Sequence, residues 1–139
     1  MRGVAVLGST GSIGHSTLDV IASHPDKLRL VGIAARSRID VLARQLEAFR
    51  PPLVAVWDEA RGRELQEATG CPEILIGSEG LTQLATHPEV DAVVVATSGR
   101  EALVPLIRAI QARKHIALAS KELLVMAGHV LMPLVKAHG

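Results

Sequence analysis

Aromatic side chains are almost missing from this 139-residue chain: Phe49 and Trp57 are the whole set, and tyrosine does not occur. Two rings cannot build the stacking platform on which single-stranded nucleic acid lies, so any core has to be aliphatic. Cysteine occurs once, at Cys71. That excludes an internal disulfide and a cysteine-rich zinc site, and it fits a reducing compartment. An excess of one charge is missing too: 15 Lys and Arg stand against 14 Asp and Glu, scattered along the chain. Nucleic-acid binders rest on clustered Lys and Arg, so that partner is not expected. No apolar run reaches the roughly 18 residues that read as a transmembrane helix. Met1-Arg2-Gly3 leads straight into an apolar segment with no signal-peptide pattern. The expectation is a cytoplasmic protein with no membrane partner. The histidines show no H-E-x-x-H spacing, and no G-x-S-x-G turn marks a nucleophile.

What is present is aliphatic and periodic. Hydrophobic residues make up 48% of the chain, which argues against disorder, and the length suits one domain with a sizeable core. Short apolar runs read as strands near residues 3–8, 28–35, 53–57, 73–77, 91–97 and 115–119. Several, such as Ala92-Val93-Val94-Val95-Ala96 and Ile116-Ala117-Leu118-Ala119, are apolar throughout. Strands covered on both faces read this way, which favours a parallel sheet. Between them, Ser12 to Ser23 carries Ile13, Leu18, Val20 and Ile21 at helical spacing. Ile39, Leu42, Leu46 and Phe49 form a second stripe ended by Pro51-Pro52, and Leu103, Leu106, Ile107 and Ile110 a third. Pro105 fits that third helix only in its first turn. A last helical stretch runs from near Lys121 to Gly139, with Gly128 and Pro133 expected to break or kink it. The alternation predicts an α/β fold of the doubly wound Rossmann type. About six or seven mainly parallel strands would carry helices on both faces, filling residues 1–139 as one domain.

The strongest chemical signal is Gly8-Ser9-Thr10-Gly11-Ser12-Ile13-Gly14, between the first strand and the first helix. A helix start has free backbone N–H groups and the positive end of the dipole, and glycines let a phosphate approach the backbone. Thr10, Gly11, Ser12 and Ile13 are therefore candidates to hold the pyrophosphate of a dinucleotide; a plain tight turn is the bland alternative. After the second strand stands Ala34-Ala35-Arg36-Ser37-Arg38, with no acid. An NAD site places Asp or Glu there for the ribose 2′-hydroxyl. Arg36, Ser37 and Arg38 suit a 2′-phosphate instead, so NADP is favoured over NAD; solvated arginines are the alternative. Thr97-Ser98-Gly99 follows the fifth strand and either faces the cofactor or caps the next helix. Ser120-Lys121-Glu122 follows the sixth. Ser120 could be an ordinary N-cap, but a Lys in a first helical turn opposes the dipole and points to an anionic or polar partner.

Two segments together resemble the 1-deoxy-D-xylulose 5-phosphate reductoisomerase family: Leu7-Gly8-Ser9-Thr10-Gly11-Ser12-Ile13-Gly14 with Ser16-Thr17-Leu18-Asp19-Val20, and Ala117-Leu118-Ala119-Ser120-Lys121-Glu122-Leu123-Leu124-Val125. The resemblance covers the whole chain but only the amino-terminal, cofactor-binding part of that enzyme. It implies an NADPH-dependent oxidoreductase of the non-mevalonate route to isoprenoids, usually a homodimer. Its enzymes rearrange and reduce 1-deoxy-D-xylulose 5-phosphate to 2-C-methyl-D-erythritol 4-phosphate, using divalent Mg or Mn. By resemblance, Thr10, Gly11, Ser12 and Ile13 hold the NADPH phosphates and Arg36, Ser37 and Arg38 meet the 2′-phosphate. Ser120 and Glu122 approach the cofactor, and Lys121 contacts the substrate. The family's metal-binding acids would follow Gly139, so no catalytic or metal-binding residue is expected within the chain, which is expected to be inactive alone. Ser120 stands where the family usually has Asn, and Leu123 where it has a small or hydroxyl residue. Two other readings remain at this point. One is a stand-alone NADP-binding regulatory module; the other is a different NADP-dependent reductase, of the semialdehyde-dehydrogenase type.

Overall fold

The computed structural model describes residues 2–70, 74–97 and 102–118. Six strands and five helices alternate along them: β1 (Arg2–Leu7), α1 (Ser12–Ser23), β2 (Leu28–Ala35), α2 (Ile39–Phe49), β3 (Leu53–Val56), α3 (Glu59–Thr69), β4 (Leu75–Ile76), α4 (Gly77–Ala85), β5 (Ala92–Val95), α5 (Leu103–Gln111) and β6 (His115–Leu118). The strands form one six-stranded sheet in the order β4-β3-β2-β1-β5-β6. Every neighbouring pair is parallel. Each connection therefore crosses over through a helix, and all carboxyl ends lie on one edge.

Alternation along β1 divides the interior into two cores. Val4 and Val6 pack with Leu18 and Ile21 of α1, Leu42 of α2 and Leu65 of α3. Ala5 and Leu7 face the other way, onto Leu81 and Leu84 of α4 and Leu106, Ala109 and Ile110 of α5. Helices thus lie on both faces, as a doubly wound fold requires. Near its amino end β1 is pinned by Asp91: the Gly3 N–H donates to the Asp91 carboxylate (2.7 Å), and the Asp91 N–H donates to the Gly3 carbonyl (2.8 Å).

Several expectations are refined. Pro105 is the third residue of α5, where its missing N–H has no intrahelical acceptor to lose. In α1 the buried residues are Gly14, Leu18 and Ile21, while Ile13 and Val20 are 47% and 52% exposed. Residues 14, 18 and 21 share the inward stripe at 100° per residue, and 13 and 20 share an outward one. The apolar run of β6 is not covered on both faces by the described residues. Ile116 and Leu118 pack against the α5 side, whereas His115 and Ala117 are exposed. The last helical stretch, near Lys121 to Gly139, lies outside the described residues.

Candidate cofactor site

The sheet order creates the site. Strands β1 to β4 run outward in one direction, and the chain then returns to lay β5 on the other side of β1. At that reversal β1 leads through α1 to β2 on one side and β5 leads through α5 to β6 on the other, and the carboxyl ends of such a pair are where doubly wound folds bind ligands. The residues there are Gly8 to Gly14 after β1 and Ala96-Thr97 after β5.

Each glycine of the turn has a different reason to lack a side chain. Gly8 has φ +89, a conformation that costs L-residues, and a Cβ there would lie 2.8 Å from the Thr97 backbone nitrogen. Gly14 lets α1 close onto the turn: its Cβ would meet the Gly8 carbonyl oxygen and lie 2.6 Å from Ser9 Cα. At Gly11 a Cβ would have one neighbour, the Gly8 carbonyl oxygen at 3.9 Å. The empty space there is in front of the helix rather than inside the protein.

That space is suited to an anion. Gly11 is the N-cap of α1, no side chain caps it, and the first turn holds no acidic residue. The N–H groups of Ser12 and Ile13 have no acceptor within the helix, and the dipole favours negative charge at this end. Thr10 is half-buried, while Gly11, Ser12 and Ile13 are exposed. The turn beneath them is fixed from behind. The Gly8 and Ser9 N–H groups both donate to the Ala34 carbonyl at the end of β2, at 2.8 and 3.1 Å. Ser9 is fully buried; its hydroxyl donates to Gln45 Oε1 (2.8 Å), and Gln45 Nε2 donates to the Ser9 carbonyl (2.7 Å).

The second group of candidates sits one strand away on the same edge. Arg36, Ser37 and Arg38 follow β2 and are all exposed. Arg38 is the N-cap of α2 without a side-chain cap, and its carbonyl accepts the Leu42 N–H (3.1 Å). The Arg36 guanidinium lies over the Trp57 ring, 5.8 Å from its centroid. Trp57 follows β3 and is held beside the loop by its N–H donating to the Ala35 carbonyl (3.0 Å). Ser37 and Arg38 also border a groove of about 530 Å³ between α2 and α3, shared with Asp40, Arg61 and Glu64. No acidic residue stands in the Arg36–Arg38 stretch to receive a ribose hydroxyl.

The structure thus brings Thr10, Gly11, Ser12 and Ile13 together with Arg36, Ser37 and Arg38 on one edge. Thr97 lies against Gly8 on that edge. Ser98, Gly99, Ser120, Lys121 and Glu122 lie outside the described residues. The Ser9–Gln45 pair and the Trp57–Arg36 contact were not anticipated from sequence. The available signal for the first was an amide between Leu42 and Leu46 in the apolar arc of α2. Among the described residues, no three His, Cys, Asp or Glu side chains come together as a metal site.

The sequence profile of the 1-deoxy-D-xylulose 5-phosphate reductoisomerase family matches residues 4–128. The chain belongs to this family. The 1-deoxy-D-xylulose 5-phosphate reductoisomerase of Geotalea uraniireducens is 50% identical over 141 residues, covering 100% of this chain and 36% of that protein. A crystal structure of DOX-P reductoisomerase in complex with magnesium superposes with TM-score 0.93 at 36% identity, covering 100% of this chain and 36% of its own. The Zymomonas mobilis reductoisomerase in complex with NADPH gives TM-score 0.89 at 34% identity, over 99% of this chain and 37% of its own. The chain therefore spans about a third of the reductoisomerases it matches.

Proposed function

We propose that residues 1–139 are the NADPH-binding domain of a 1-deoxy-D-xylulose 5-phosphate reductoisomerase. That enzyme rearranges its substrate and reduces the resulting aldehyde to 2-C-methyl-D-erythritol 4-phosphate, in non-mevalonate isoprenoid biosynthesis. The observation that carries the reading is the division of labour among the three glycines. Gly8 and Gly14 allow tight packing, and Gly11 leaves an uncapped helix start open at the switch point. Family membership supplies the substrate class.

In this reading the N–H groups of Ser12 and Ile13, with Thr10 and Gly11 beside them, receive the pyrophosphate. Arg36, Ser37 and Arg38 receive the 2′-phosphate. Ser120 and Glu122 approach the cofactor, and Lys121 contacts the sugar phosphate, on the strength of the Ala119-Ser120-Lys121-Glu122 motif. NADPH supplies the hydride, and this chain's part is to hold and orient it. A divalent metal, Mg or Mn, polarises the carbonyl in the complete enzyme. The described residues bring together no trio of His, Cys, Asp or Glu side chains that would hold such an ion. A cytoplasmic location and a homodimeric complete enzyme belong to the same reading. No helix among the described residues is long and apolar enough to cross a membrane.

Calorimetric titration tests the cofactor assignment. Charge-assisted hydrogen bonds contribute about 1.5–3 kcal/mol, so NADPH is expected to bind roughly 10- to 100-fold tighter than NADH. Equal affinities would overturn the assignment. The 139-residue chain, mixed with NADPH, substrate and Mg, is expected to leave the cofactor unoxidised; measurable oxidation would refute its role as a cofactor domain alone.

A further inference from the structure

Two residues of α2 are buried, Leu42 and Gln45. An amide in a core costs free energy unless its donor and acceptor are both used. Here they are used on a single residue 36 positions away, Ser9, once to its hydroxyl and once to its carbonyl. Ser9 is 0% and Gln45 4% exposed. No charged side chain among the described residues hydrogen-bonds to either. An apolar side chain of similar volume would fill the space. It would not fix the distance and orientation of the glycine turn relative to α2.

Those two elements carry the two anion-facing parts of the site. The turn leads into the open start of α1, and α2 begins at its N-cap Arg38, next to Ser37 and Arg36. We infer that Gln45 is a positioning residue that locks the glycine turn to α2, so that the pyrophosphate seat and the 2′-phosphate seat are held at a set separation. This rests on the NADP-binding reading above. A dinucleotide that spans both seats benefits from the lock, whereas a ligand that occupies only one does not.

The test is a titration of the full chain with NADP⁺ and with adenosine 2′-monophosphate, which carries the 2′-phosphate but no pyrophosphate. Gln45→Leu is expected to weaken NADP⁺ about 10-fold or more and adenosine 2′-monophosphate less than about 3-fold, with the fold retained by circular dichroism. Gln45→Glu supplies a readout that a merely structural role would not move. Its protonated carboxyl can donate to the Ser9 carbonyl and accept from the Ser9 hydroxyl, reproducing both bonds, while the carboxylate can only accept. Burial raises a carboxyl pKa. The variant should therefore bind NADP⁺ as poorly as Gln45→Leu near pH 8 and recover to within about 3-fold of the wild-type chain near pH 5.5, each compared at the same pH. Should Gln45→Leu fail to fold, recovery of Gln45→Glu on acidification supports the inference, and its absence overturns it. Equal weakening of both ligands, or unchanged NADP⁺ affinity in folded variants, overturns the inference alone. A wild-type chain that binds no NADP⁺ overturns both it and the function proposed above.

Discussion

The turn after β1 and the loop after β2 sit side by side on one edge of the sheet, yet they are made of different material. The turn is backbone. Its shape follows from glycine at positions 8 and 14, from two N–H groups on one carbonyl and from a buried amide–hydroxyl pair. The loop is side chain: Arg36, Ser37 and Arg38 stand in solvent, and Arg36 leans on Trp57. A seat built of backbone would suit any pyrophosphate, and at Gly8 and Gly14 it cannot be altered without disturbing the fold. A seat built of exposed side chains chooses between cofactors and can change residue by residue. In the proposed reading, phosphate holding and cofactor choice are thus separable.

Substitutions can break or sharpen that contrast. The largest effect is expected at Gly14. A Cβ there meets backbone atoms of Gly8 and Ser9 that belong to the anchored turn. Gly14→Ala is expected to lower stability by about 1–3 kcal/mol and to abolish measurable NADPH binding, as followed by thermal melting and calorimetry. Next comes the loop. Removing both guanidiniums, Arg36→Ala with Arg38→Ala, should cost roughly 10- to 100-fold in NADPH affinity while leaving NADH and the melting temperature nearly unchanged. A large loss of stability in that variant would erase the contrast. Gly11→Ala joins the two cases. Its Cβ fits the protein but stands in the open space at the start of α1, where the proposed pyrophosphate would sit. Stability should fall by less than about 1 kcal/mol, and both NADPH and NADH should weaken about 10-fold. The smallest effect is expected from Trp57→Leu. A cation–π contact at an exposed site is worth about 0.5–1 kcal/mol, so the NADPH-over-NADH preference should drop about 2- to 5-fold through a less ordered Arg36.

The features legible in the sequence were those with a local cause. The glycine spacing, the strand before it and the helix after it need only neighbouring residues, and they stand as β1, the turn and α1. The apolar runs at 28–35 and 115–119 likewise correspond to β2 and β6 within a residue. Where tertiary context decides, sequence was a poorer guide. α3 spans EARGRELQEAT and buries only Gly62 and Leu65, so it offers little apolar stripe to read. α4 starts directly at Gly77 (φ +76) after a two-residue β4, leaving no loop to mark the change. Ile13 and Val20 stand with Leu18 and Ile21 at helical spacing, but a spacing does not say which side of the helix meets the sheet, and these two face away from it. Gln45 is hard to read from sequence for the opposite reason. A polar residue inside an apolar stripe reads as an interruption until its partner, 36 residues earlier, is placed beside it.

The Ala34 carbonyl, which accepts from both Gly8 and Ser9, has a consequence in time as well as in shape. Amide protons held in buried hydrogen bonds exchange with deuterium only when the structure opens. The Gly8 and Ser9 protons belong to that slow class. Those of Ser12 and Ile13, at the open start of α1, face solvent and exchange early. Within one heptapeptide the chain therefore keeps two clocks, and an anion seated on the helix would slow the faster one while leaving the slower one as it was.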